Sequence, residues 1–162
     1  MASPLLALKR GLVVFWAVWW LIAFLTDFIG GLKEIGAIAA PWLPHSSYPG
    51  LVASLAPYAV PSWLPPFLFI GIIGWSLASS LTLGLAAATP MQPRQRWLRR
   101  VNFAFLVSLG LWIAFFLADQ IVMKFGLEEN HMVQGGFQLL CFLAIHLLPD
   151  EATASGGKRR DT

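Results

Sequence analysis

Long apolar runs alternate along the chain with short clusters of charge. Four runs, residues 11–30, 67–88, 101–125 and 132–148, reach or approach the length that a membrane helix needs. That length is roughly 20 mostly apolar residues, because the hydrocarbon core is about 30 Å thick and each helical residue rises about 1.5 Å. The last run is short at its outer end. The pattern predicts an all-α, polytopic membrane protein: a four-transmembrane-helix bundle over residues 1–150, followed by a polar tail at 151–162.

Charge placement gives this pattern a direction, since cytoplasmic loops retain Lys and Arg. Lys9 and Arg10 precede the first run, Arg94, Arg96, Arg99 and Arg100 separate the second from the third, and Lys158, Arg159 and Arg160 follow the fourth. With four spans, nine of the eleven cations fall on one side, and only Lys33 and Lys124 on the other. Removing any span would scatter the clusters, so both termini are expected in the cytoplasm of a bacterial inner membrane. A signal peptide fits less well. The first run exceeds an h-region of about 7–15 residues, and the small-residue site Ala37-Ile38-Ala39 lies far beyond it.

Between the first two runs, residues 31–64 hold Pro41, Pro44, Pro49, Pro57 and Pro61, which forbid a long helix. The expectation is a long Pro-rich outer loop. Its apolar pieces, 35–43 and 51–60, lie on or dip into the membrane face, with Trp42, Tyr48, Tyr58 and Trp63 at headgroup level.

Composition agrees with the hydropathy pattern: 57% of the 162 residues are hydrophobic and 12% charged, and mean hydropathy is +0.69. Soluble domains carry about 25% charged residues. The basic excess, a net charge of +3, is distributed as an orientation signal, so nucleic acid is not an expected partner; the lipid bilayer and other membrane subunits are. Cys141 is alone, which rules out an internal disulfide or a cysteine-rich metal site, and it reads as a packing residue.

Candidate functional residues fall into three groups. Gly74, Ala78, Thr82 and Ala86 recur every four residues and form a small-residue stripe for close helix packing, within the bundle or against a partner subunit. Ser76, Ser79 and Ser80 can bond back to their own helix and need no ligand. Trp16 and Trp20 share a face, with Trp20 about 13 Å into the membrane. Packing or lipid contact is the stronger reading of that face, and a flat cofactor, quinone or pigment the weaker, so cofactors stay open. Asp27 and Asp119 should lie near the outer edge of the hydrocarbon, together with Gln120 and Gln134, beside Thr26 and His131. This candidate outer polar layer reads either as helix ends reaching water or as a pocket for a proton, a cation or a quinone headgroup.

Other chemistry is not indicated. His146 lies at the inner end of the fourth run, and neither His45 nor His131 shares its depth, which argues against an internal bis-histidine haem. No phosphate-binding glycine loop, His-Glu-x-x-His pair or serine elbow occurs, and Gly135-Gly136 reads as helix-end glycine. No catalytic or metal-ligating residue is assigned, and the chain is not expected to be an enzyme.

Leu25-Thr26-Asp27-Phe28, Pro49-Gly50, Gly136-Phe137-Gln138 and Leu148-Pro149-Asp150-Glu151 resemble segments of a family of small bacterial four-helix integral membrane proteins of unknown function. The chain departs from it where Glu128 to Met132 replace a tryptophan-containing segment. The resemblance implies topology and no chemistry. The leading functional expectation is an accessory or anchoring subunit of a respiratory or photosynthetic type of complex. The alternative is a small, oligomeric transporter or channel component that uses Asp27 and Asp119.

Overall fold

A computed structural model describes residues 4–43 and 45–150. Pro44 and the polar tail at 151–162, with Lys158, Arg159 and Arg160, lie outside the described residues. The described chain is all helix and turn: α1 (Pro4–Glu34), α2 (Ser47–Leu55), a 3-10 turn (Ala56–Tyr58), α3 (Leu64–Ala88), α4 (Arg94–Ile121) and α5 (Phe125–Leu147). α1 packs on α3, α3 on α4, α4 on α5, and α5 meets α1, so the four long helices close a ring.

Three of them, α1, α3 and α4, are long and apolar enough to cross a membrane. α5 has 23 residues, about 35 Å at 1.5 Å each, so its length suffices. Its polar residues Glu128, Glu129, His131, Gln134 and Gln138 lower its hydropathy. Large apolar side chains cover the outside of the ring, among them Ile22, Leu81, Leu106, Ile113, Leu117 and Leu140.

The helices run past the apolar stretches that announce them. α1 begins at Pro4 and not at residue 11, α4 at Arg94 and not at 101, and α5 at Phe125 and not at 132. Charge takes a residue out of lipid without taking it out of a helix. α1 stops at Gly36, whose φ of +71° only glycine adopts without cost. There Gly36 N–H bonds Lys33 O at 3.0 Å and Ala37 N–H bonds Leu32 O at 2.9 Å, the two bonds of a Schellman ending.

The segment between α1 and α3 holds more structure than a loop. Ser46 caps α2, and Pro49 is tolerated because it sits in the first helical turn, where N–H groups have no intrahelical acceptor. Lys33 Nζ donates to Leu43 O at 2.8 Å, and Tyr58 Oη donates to Ile121 O at 3.1 Å, which ties the segment to the ends of α1 and α4.

The core is aromatic and occupies the axis of the ring. Trp16, Trp20, Trp97 and Trp112 are buried in it with Val13, Leu83, Val101, Phe105, Leu111 and Ile145. Ring centroids lie 5.2 Å apart for Trp20 and Trp112, 5.4 Å for Trp19 and Trp112, and 5.7 Å for Trp16 and Phe137.

One end of the ring is held by charge. Lys9 is 0% exposed; its ammonium donates to Leu148 O at 2.6 Å and pairs with Asp150 at 2.7 Å. Arg94 pairs with the other oxygen of Asp150. Arg10 donates to Thr89 O at 2.7 Å, and Arg100 to Thr89 Oγ1 at 3.1 Å. These contacts gather the start of α1, the end of α3, the start of α4 and the segment after α5.

Candidate functional site

The α4–α5 seam carries the main buried polar chemistry. Ser108, Trp112, Phe115 and Asp119 are spaced at four, three and four residues on α4, while His131, Gly135 and Gln138 are spaced at four and three on α5. Such spacing puts each set on one helical face. At the end of the seam away from the Lys9–Asp150 clasp, Asp119, 6% exposed, meets His131 Nδ1 through Oδ2 at 2.5 Å. The imidazole stacks on Phe115 at 4.7 Å and 19°, and lies 5.9 Å from Trp112. Protonated His131 makes this an ion pair; neutral His131 makes it a hydrogen bond.

Deeper in, Trp112 Nε1–H donates to Gln138 Oε1 at 2.6 Å, and Gln138 Nε2–H donates to Ser108 Oγ at 2.8 Å. Ser108 in turn donates to Ala104 O at 3.0 Å. Gln138 and Ser108 are fully buried, so this network supplies the partners that a polar group needs away from water. Gly135 allows the close approach. A Cβ there would lie 2.9 Å from Phe116 Cζ and 3.1 Å from Trp112 Cβ, so it is a packing glycine inside α5 and not a helix-end residue.

The sequence-predicted outer layer divides into separate contacts. Asp27 accepts from Ser47 Oγ of α2 at 2.7 Å, on the α1 side. Asp119 bonds His131, Gln120 donates to Glu128 at 2.7 Å, and Gln134 bonds Asn130 at 3.0 Å within α5. Among the described residues no hydrogen bond or ion pair joins Asp27 to Asp119.

The other predicted groups are also placed. Trp16 and Trp20 are buried, and their face is filled by Trp19, Trp112 and Phe137 of the protein itself. Along the small-residue stripe Ala86 is buried, Ala78 and Thr82 are half-buried, and Gly74 is exposed with open space where a Cβ would be. The face of α3 that enters the core instead carries Ser76, Ser79, Ser80, Leu83 and Ala86. Ser80 donates across to Ala17 O of α1 at 3.0 Å and not back to its own helix. Ser79 Oγ is buried without a hydrogen-bond partner. His146 at the other end meets Asn102 at 2.8 Å. Among the described residues no three His, Cys, Asp or Glu side chains group as metal ligands.

No protein-family model, curated protein or solved structure matches the chain.

Proposed function

We propose that the chain is a four-span subunit of a bacterial inner membrane, with both termini cytoplasmic, that serves as an accessory or anchoring part of a larger respiratory or photosynthetic type of assembly and has no catalytic residues of its own. The observation that carries this reading is the filled axis. Trp16, Trp20, Trp97 and Trp112 occupy the space between the helices where a one-chain pathway would run. α5 serves as the fourth span because its polar residues Gln138 and His131 turn inward to α4 partners. What supports the orientation is that Lys9, Arg10, Arg94 and Arg100 meet at one end, with Lys33 and Lys124 at the other. The proposed kinship with the small four-helix membrane family agrees with this topology.

Purification of a tagged copy from native membranes in mild detergent, with mass spectrometry of what co-purifies, tests the reading. Partner subunits recovered in fixed proportion are expected; recovery of the chain alone would overturn it.

One observation favours transport as a second reading: the buried Asp119 carboxylate and the His131 imidazole are in direct contact at 2.5 Å, at the end of the bundle away from the Lys9–Asp150 clasp. In that case Asp119→Asn abolishes flux into proteoliposomes while assembly is retained, and unchanged flux removes the pair from any transport role.

A further inference from the structure

A groove of about 550 Å³ lies outside the ring between α3 and α4, lined by Thr82, Leu85, Arg96, Arg99, Arg100 and Phe103. The four α4 residues follow helical spacing of three, four and seven, so they share one face. That face is basic toward the α3–α4 turn and apolar beyond it. Arg96 and Arg99 are exposed, and no salt bridge joins either of them, or Arg100, to an acidic side chain among the described residues. Arg100 is steadied by Thr89 Oγ1 at 3.1 Å. Above the arginines, Leu85 and Phe103 are 60% and 59% exposed, and Leu106 one turn further is 71% exposed.

We propose that this groove is a binding site for an anionic phospholipid of the leaflet at this end, with its phosphate on the guanidiniums of Arg96 and Arg99 and an acyl chain along Leu85 and Phe103. Charge complementarity selects the occupant. Guanidinium forks match phosphate oxygens in bidentate geometry, and basic pockets between spanning helices suit acidic headgroups. A soluble anion would use the arginines and leave the apolar half of the groove bare, whereas a phospholipid covers both. The inference rests on the reading of the chain as membrane-spanning.

The test uses the full chain in mild detergent, with native mass spectrometry after addition of phosphatidylglycerol or phosphatidylcholine. Wild type is expected to retain one phosphatidylglycerol and to release phosphatidylcholine. Arg96→Gln/Arg99→Gln should bind phosphatidylglycerol about tenfold or more weakly, and Lys124→Gln, at the other end, should bind as wild type does. Both arginines are exposed, so the double variant should keep its tryptophan fluorescence. Equal retention of the two lipids, or undiminished retention by the double variant, overturns the site. So does crosslinking of a partner subunit at residue 99 with no lipid retained. Carbonate extraction of native membranes separates the two readings: chain left in the pellet while the lipid test fails sinks the site alone, and chain released to the supernatant sinks both.

Discussion

Gln138 joins two helices through a single side chain, accepting from Trp112 and donating to Ser108. Gln138→Leu would leave the Trp112 N–H buried without an acceptor, at a cost of about 1–2 kcal/mol. Gln134→Leu, whose partner Asn130 lies on the same helix, should change stability by less than about 0.5 kcal/mol. Thermal unfolding in detergent, followed by tryptophan fluorescence, separates the two; equal losses would mean that the buried network contributes nothing. Adjacent glycines should differ in the same way. Gly135→Ala forces a methyl against Phe116 and Trp112 and should cost about 1–3 kcal/mol, while Gly136→Ala meets open space and should not destabilise. The sequence shows that both pairs exist but not which member faces inward. Gln134 and Gln138 are one turn apart, and only the contacts of Gln138 with Trp112 and Ser108 on the partner helix pick out the inward one.

At the scale of elements, α1, α3 and α4 are legible in the sequence because lipid demands long apolar runs. Helix starts are less legible, since the charged stretches Arg94 to Arg100 of α4 and Glu128 to His131 of α5 are helical. α2 is obscured by proline: Pro49 breaks a helix interior but not a first turn. The Asp27–Asp119 layer was expected from depth alone, and depth does not fix azimuth. One residue faces α2 and the other faces α5. The segment carrying α2 is held by side chains at its two sides, so Lys33→Met/Tyr58→Phe should free it. Limited proteolysis should then cut residues 35–63 faster than in wild type, with the long helices still protected. An unchanged cleavage rate would show that apolar contact alone holds the segment.

For the whole molecule, Gly74 separates folding from assembly. It is exposed and a Cβ there meets nothing within 4 Å, so Gly74→Leu should alter the stability of the isolated chain by less than about 0.5 kcal/mol. If the α3 stripe receives a partner helix, the same substitution should release the partner subunits during purification; retained partners would remove the stripe from the interface. The charged clasp has a different consequence. Lys9 and Asp150 are 141 residues apart in sequence, so the ammonium is synthesised and threaded into place long before its carboxylate exists. The first helix thus waits, unsealed, until the ribosome has delivered the residues beyond the last one.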